Sequence, residues 1–184
     1  MRSGPPTKII AIDIDDMMRT FKNVYFSARV SGDLDVYSTM FLQRACEFTG
    51  AQIISISSLF NRSVEAHRRE FFDLLAEAGL DTVEHIHTDW CARDDDSEAR
   101  GDILDRWLGD HPEVTHIAAL DDENVLRAGE PHPAWVHVQE GKGLLPDHFD
   151  KVMHLLNADP GAFFDFCHER PLRFSATPVA RKPS

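Results

Sequence analysis

Short apolar runs alternate with longer amphipathic segments along most of the chain. The runs are rich in β-branched residues and almost continuously apolar, which is typical of strands that are buried on both faces of a sheet. They predict five strands, at residues 8–15, 51–57, 82–87, 115–122 and 134–139. In the segments between them, apolar residues recur at helical spacing. These segments predict four helices, at residues 37–49, 63–79, 97–109 and 146–156.

Residues that favour helix ends support these assignments. Gly50 follows the first helix and Gly79 ends the second, where glycine commonly terminates a helix. Ser63 and Ser97 are predicted to cap the second and third helices, and Pro146 stands near the first position of the fourth.

The alternation of strands and helices predicts an α/β fold, namely a Rossmann-like parallel sheet of about five strands with helices on both faces. A chain of 184 residues has room for one domain with a sizeable core. We assign residues 1–157 to this domain and residues 158–184 to a partly disordered C-terminal tail that contains a short helix at 161–169. Between the first two strands, roughly 20 residues lie outside a predicted element. That length fits a flap but not a large cap domain.

The composition argues against several classes of function. A net charge of −12 disfavours broad binding to nucleic acid or an anionic membrane, since clustered Lys and Arg hold phosphate groups. No apolar run approaches the roughly 20 residues of a membrane helix, and the N-terminus lacks the apolar core of a signal peptide. The three cysteines are widely spaced without a CxxC pattern, which is typical of reduced thiols. We therefore expect a cytoplasmic protein with no membrane partner.

Aspartates follow the first predicted strand (Asp13, Asp15, Asp16) and the fourth (Asp121, Asp122). The carboxyl ends of parallel strands meet at one edge of the sheet, where such folds bind ligands. Asp13 and Asp15 are two residues apart and are expected on the same face of their strand. Two carboxylates roughly 5 Å apart repel each other by about 3 kcal/mol at an effective dielectric of about 20.

A divalent cation would remove this repulsion. Oxygen ligands with room for water suit Mg²⁺, whereas the His and Cys residues do not have the spacing of a zinc motif. The alternative is that these acids are solvated turn and cap residues, which is the usual role of a single Asp-Asp pair. Two acidic clusters, each ending an apolar strand of one predicted sheet, favour the magnesium site.

Four segments resemble, in their order and spacing, the motifs of the haloacid dehalogenase-like superfamily of Mg²⁺-dependent phosphohydrolases. They read "IIAIDIDDMM", "TGAQIISISS", "SEARGDILDRWL" and "HIAALDD". They are similar, in turn, to a strand followed by Asp-x-Asp, a strand ending in Ser or Thr, a helix start with Lys or Arg, and a strand ending in paired acids. The resemblance covers about residues 8–157 and extends to a small capless branch that occurs in Swiss-army-knife RNA-repair proteins.

The resemblance implies a covalent mechanism. Asp13 would be the nucleophile that forms an aspartyl-phosphate. Asp15 would be the general acid for the leaving group and then the base for water. The chain departs from the superfamily beside this pair, because Asp16 stands where glycine is usual.

The second and third motifs imply phosphate binding. Ser57 or Ser58 would hydrogen-bond the phosphoryl oxygens, and the sequence "ISSL" at 56–59 leaves both serines as candidates. Arg100 would neutralise the phosphate and the nucleophile.

The fourth motif implies a Mg²⁺ site. Asp121 and Asp122 would hold the ion together with the carboxylate of Asp13 and the backbone carbonyl of Asp15.

The function predicted on these grounds is the hydrolysis of a phosphate monoester, with a phosphorylated small molecule such as a nucleotide, or a nucleic-acid end, as the substrate. An open, capless site admits large substrates or borrows a cover from a partner subunit, so a homo-oligomer is also expected as one arrangement.

The alternative to a phosphatase is a catalytically degenerate member of the superfamily that keeps the fold as a binding or scaffolding module. The altered position 16 and second motif favour that alternative slightly, and the intact aspartate pairs oppose it.

Overall fold

The computed structural model of the protein describes residues 7–19, 34–93 and 99–170. These ranges contain seven strands: β1 (Thr7–Ile12), β2 (Gln52–Ser55), β3 (Ile86–Cys91), β4 (Val114–Asp121), β5 (Leu126–Arg127), β6 (Glu130–Pro131) and β7 (Trp135–His137). They also contain six helices: α1 (Val36–Thr49), α2 (Glu65–Glu77), α3 (Thr82–His85), α4 (Arg100–Asp110), α5 (Pro146–Leu155) and α6 (Pro160–Glu169). Most of the predicted flap, the predicted cap Ser97 and the last part of the predicted tail lie outside the described residues.

Five of the strands form one parallel sheet in the order β3-β2-β1-β4-β7. In the central strand β1, Ile10 is paired with Ile53 of β2 on one side and with Ala118 of β4 on the other. The chain first extends the sheet from β1 through β2 to β3, and then returns to the opposite side of β1 for β4 and β7. The strand order therefore reverses between β1 and β4, and such a reversal opens a crevice at the carboxyl ends of the strands.

The side chains of β1 alternate between two apolar cores, which explains the almost continuous apolarity of this segment. Ile10 and Ile12 lie in the larger core with residues of α1, α2, α5 and α6. Ile9 and Ala11 lie in the smaller core with residues of α4. Helices therefore cover both faces of the sheet.

Asp35 and Gly50 mark the two ends of α1. The Asp35 carboxylate accepts a hydrogen bond from the backbone N–H of Ser38 at 2.8 Å, which satisfies one free donor of the first turn. Gly50 adopts a left-handed conformation, with φ of 70°, that glycine tolerates without strain. The predicted stop at Gly50 is confirmed, whereas the pattern of apolar residues gave no sign of the Asp35 cap.

The predicted strand at 82–87 is wrong in its first four positions, which form the short helix α3. The cause is local, because the Asp81 carboxylate accepts hydrogen bonds from the N–H groups of Val83 and Glu84 and so caps a helical turn. The strand β3 begins only at Ile86 and continues to Cys91, four residues beyond the predicted end.

The predicted cap of α2 is also wrong. The hydroxyl of Ser63 donates to Oδ1 of Asn61 at 2.6 Å. The residue that precedes α2 is Val64, and it makes no side-chain capping bond. Serine and asparagine side chains readily bond to each other and to nearby backbone in a turn, which competes with capping.

The short hairpin β5–β6 was not predicted, and it lies against α4. A Cβ atom on Gly101 would overlap the backbone carbonyl of Leu126 and would lie 2.9 Å from the nitrogen of Arg127. Oδ1 of Asp102 accepts a hydrogen bond from the N–H of Ala128 at 2.9 Å. The missing side chain at position 101 thus lets the start of α4 approach the loop that follows β4.

The predicted α/β fold is confirmed, with five parallel strands, helices on both faces and no large cap domain among the described residues. The short helix expected at 161–169 is present as α6. None of the helices in the described ranges is long and apolar enough to cross a membrane. The domain boundary at residue 157 stays a prediction.

We expect Gly101→Ala to lower the free energy of unfolding by at least about 1–3 kcal/mol, because the new methyl group meets backbone that cannot move independently. The matched control is Gly109→Ala in the same helix, where an added Cβ meets nothing within 4 Å. That variant should gain about 0.5–1 kcal/mol from the better helix propensity of alanine. Denaturant unfolding measures both, and equal stability of the two variants would contradict the close approach at Gly101.

Candidate functional site

The reversal of strand order brings together the ends of β1 and β4. The backbone N–H of Asp13 donates to the carbonyl of Leu120 at 3.0 Å, so the two strands remain paired to the point where their acids begin. Asp13 and Asp121 are both buried. The backbone carbonyl of Asp121 accepts the indole N–H of Trp135 at 3.2 Å, which anchors this end of β4 to β7.

Arg100 lies between the two buried aspartates. It is the first residue of α4, and its Nη1 lies 3.5 Å from Oδ2 of Asp13 and donates to Oδ1 of Asp121 in a short hydrogen bond. Its Nη2 lies 3.2 Å from Oε2 of Glu123. One guanidinium thus partly neutralises three carboxylates, as its rigid fork of donors allows.

Burial affects how these acids titrate. The pKa of Asp121 is raised to about 7, chiefly by burial and then by the neighbouring Asp13, against the opposing effect of Arg100. The pKa of Asp122 is raised to about 6, again chiefly by burial. Burial also raises the pKa of Asp13, while Arg100 and the hydroxyl of Ser57 act to lower it.

Two oxygens in this cluster have no hydrogen-bond partner among the described residues, namely Oδ1 of Asp13 and Oδ2 of Asp121. Buried carboxylate oxygens are rarely left without a partner. One ligand atom each from Asp13, Asp121 and Asp122 also lies within 4.8 Å of the others, a grouping that can hold a metal ion. All three donors are carboxylate oxygens, the type that Mg²⁺ prefers. These residues therefore fit the predicted ion.

The carboxylate of Asp15 is not among these three ligands, although its charge contributes to the raised pKa of Asp13. The predicted contact of the Asp15 backbone carbonyl with the ion stays a prediction. Oδ1 of Asp15 lies 2.9 Å from Nη1 of Arg19, and the carbonyl of Asp15 accepts the N–H of Met17 at 2.5 Å. The reason is that β1 ends at Ile12, so the alternation of a regular strand no longer determines where the Asp15 side chain points.

Asp16 shows why the superfamily usually has glycine at this position. Its φ is 54°, in the left-handed region that Asp tolerates better than most residues. Its carbonyl accepts the N–H of Gly141 at 2.7 Å, which ties this turn to the loop before α5. The turn that glycine normally makes is thus still formed with aspartate.

The two candidate serines occupy different environments. Ser57 is buried beside Asp13, and its Oγ accepts the N–H of Leu59 at 3.4 Å. Ser58 is exposed in the turn that follows. Of the two, the structure brings only Ser57 next to the carboxylate of Asp13.

Sequence reasoning missed Glu123 and His137. Glu123 pairs with Arg100, and its own N–H donates to Oδ1 of Asp121 at 2.8 Å. His137 is the register partner of Asp121 in β7. Both residues line an open cleft of about 630 Å³ together with Asp16, Asp122, Gln139, Glu140 and Lys142. The sequence marks them only by position. Glu123 directly follows the paired acids, and His137 is the last residue of β7.

Comparison with protein families finds one match in keeping with this geometry. A family model described as the HAD domain in Swiss Army Knife RNA repair proteins matches residues 9–149, well over half of the chain. No curated protein and no solved structure matches the chain. The matched range contains every aspartate of the cluster, both candidate serines and Arg100.

The raised pKa values predict a pH dependence of stability for the metal-free protein. The pKa of Asp121 is about 7 in the folded protein and 3.8 in the unfolded chain. The folded state therefore holds this proton more tightly. The resulting stability is fully present below pH 3.8 and is lost as pH rises through about 7. Relative to wild type, Asp121→Asn should therefore gain stability in EDTA as pH rises from about 4 to about 8. Denaturant unfolding of both proteins measures this difference.

The exposed Asp150→Asn on α5 is the control and should show no such trend. Mg²⁺ should stabilise wild type more at the upper end of this range, because its ligands must be deprotonated. If the difference in unfolding free energy between Asp121→Asn and wild type does not change with pH, the pKa of Asp121 is not raised by burial.

Proposed function

The chain belongs to the family of HAD domains in Swiss Army Knife RNA repair proteins, and we propose that it is a Mg²⁺-dependent phosphatase that hydrolyses a phosphate monoester through an aspartyl-phosphate on Asp13. Membership of a phosphohydrolase superfamily supports the reaction type. The observation that carries the proposal is the buried Asp13 carboxylate, which has one oxygen without a partner and lies beside Arg100 and Asp121.

In the proposed first step, a carboxylate oxygen of Asp13 attacks phosphorus. The bond from phosphorus to the leaving oxygen breaks, and Asp15 supplies the proton that this oxygen takes up. In the second step, Asp15 removes a proton from water, whose oxygen attacks the phosphorus of the aspartyl-phosphate. Inorganic phosphate leaves, and Asp13 returns as a carboxylate.

This scheme requires a change of partner at Asp15. Its carboxylate is paired with Arg19. The pair is half-exposed, and such pairs contribute only about 0–1 kcal/mol. Exchanging Arg19 for a substrate oxygen therefore costs about 1 kcal/mol or less.

Charge stabilisation in the scheme comes from Arg100 and the bound cation. Arg100 keeps two donors directed at the carboxylates that surround the phosphate position, and it lies near the negative charge that develops on the phosphoryl group. Asp13, Asp121 and Asp122 would hold Mg²⁺, which supplies Lewis-acid stabilisation of that charge when bound.

The surroundings of the site favour a terminal phosphate over a long polyanion. The cleft beside the cluster carries Asp16, Glu123 and Glu140 against a single lysine, Lys142. Binding along a phosphate backbone needs clustered basic residues. A phosphate at the end of a nucleic acid or on a nucleotide can reach the cation and Arg100 without laying further phosphates across these acids. The name of the family supports a substrate of the nucleic-acid class.

The first test is the release of phosphate from a generic aryl phosphate, with Mg²⁺ and with EDTA. We expect turnover by wild type that EDTA abolishes, and a loss of at least about a thousandfold in Asp13→Asn, because the nucleophile is removed while the shape is kept. The exposed Asp150→Asn should match wild type.

The same assay then compares mononucleotides with oligonucleotides that carry a 3′- or a 5′-phosphate. If folded wild type releases phosphate from none of these substrates, the phosphatase proposal fails and the protein is a binding module with the fold of this family. If Asp13→Asn remains active in the presence of Mg²⁺, the covalent scheme on Asp13 is wrong.

The two serines provide a second, internally matched test. Ser57→Ala should lower kcat by about ten- to a thousandfold, since one donor to the developing charge is removed from a buried position. Ser58→Ala should change kcat by less than about twofold, because this side chain is exposed in the turn. The reverse order of effects would assign the phosphate contact to Ser58.

A further inference from the structure

A second group of metal-ligating side chains lies at the opposite end of β4 from the aspartate cluster. His87 of β3, His111 after α4 and Glu113 before β4 each offer one ligand atom, and these atoms lie within 4.8 Å of one another. Glu113 directly precedes β4 and Asp121 ends it, and the eight residues of β4 span roughly 25 Å. This group is therefore separate from the candidate active site.

The tautomer of His111 follows from its contacts. Its Nδ1 lies 2.7 Å from the carbonyl oxygen of Trp107, which can only accept a hydrogen bond, so Nδ1 carries the proton. In the neutral ring, Nε2 then presents a lone pair. A histidine that binds metal usually donates its other ring N–H to an acceptor such as a backbone carbonyl, as Nδ1 of His111 does here.

That lone pair faces a carboxylate. Nε2 of His111 lies 3.5 Å from Oδ2 of Asp89, which also lies 3.5 Å from Nη1 of Arg62. A lone pair and a carboxylate at this distance repel each other unless a proton or a metal ion lies between them.

His87 is held by the backbone of Asp89. The N–H of Asp89 donates to Nδ1 at 3.1 Å, and the carbonyl oxygen of the same residue lies 3.2 Å from Nδ1. Metal binding at Nε2 requires the tautomer in which Nδ1 carries the proton, and that carbonyl is placed to accept its hydrogen bond. The rings of His87 and His111 both pack on Trp107, with centroids 5.2 Å and 3.8 Å from the indole, and this packing orients them before any ion arrives.

We propose that His87, His111 and Glu113 form a site for Zn²⁺. Two imidazoles with a carboxylate suit zinc, whereas Mg²⁺ prefers oxygen ligands alone. The sequence lacks the short spacing of a zinc finger, and the site arises only because β3 lies near the end of α4. Bound zinc would fasten the edge strand β3 to the segment that joins α4 to β4.

The test is binding of Zn²⁺ to the whole chain in the presence of excess Mg²⁺, which competes for the aspartate cluster. Calorimetry should give one zinc ion per chain, and thermal unfolding should shift upward with zinc as ligand linkage requires. His87→Gln and His111→Gln should each weaken zinc binding by at least about tenfold. The matched control is His154→Gln on α5, an exposed histidine, which should bind zinc as wild type does.

Glu113 is exposed, so Glu113→Gln should fold normally even if the histidine variants unfold. It should also weaken zinc binding and diminish the thermal shift. The proposal is overturned if wild type binds no zinc in excess Mg²⁺, or if the affinity is unchanged in Glu113→Gln or in folded histidine variants. The histidines would then serve only to pack on Trp107.

Discussion

The site depends on one electrostatic constraint, the placement of several carboxylates, two of them buried, at one edge of the sheet. Asp13 and Asp121 are buried where β1 and β4 diverge, and Arg100 is the cation that lies between them. A buried carboxylate without a partner costs several kcal/mol, so the position of this guanidinium is tightly constrained. Even with Arg100 in place, two carboxylate oxygens lack partners. The fold therefore keeps a site of negative charge that a cation and a phosphate can use.

The constraint explains the local structure around α4. Arg100 reaches the aspartates because Gly101 allows the first turn of the helix to lie against the carbonyl of Leu126. The other end of the helix carries Trp107, on which the two imidazoles of the proposed zinc site pack. One helix thus borders the aspartate cluster at its start and the proposed zinc site at its end. The donor types differ, so the two proposed sites would select different metals.

The strands next to the site were largely predictable from the sequence. The second halves of β1 and β4 are buried on both faces, and near-continuous apolarity is the direct consequence of such burial. Their acids meet because parallel strands end at a common edge, so the sequence alone was enough to group Asp13 with Asp121. The stop at Gly50 was predictable for the same local reason, since a left-handed residue after a helix favours glycine.

The sequence by itself thus determined the fold class, the central strands and the edge at which the acids gather, because burial and backbone conformation act on neighbouring residues. Only the tertiary structure decided that the Asp15 carboxylate pairs with Arg19, that Ser57 and not Ser58 lies beside Asp13, and that His87 meets His111. Each of these depends on where a strand ends or on which distant elements pack together. Strand register and packing bring together residues far apart in the chain, and a local pattern of apolar and polar positions carries no record of such contacts.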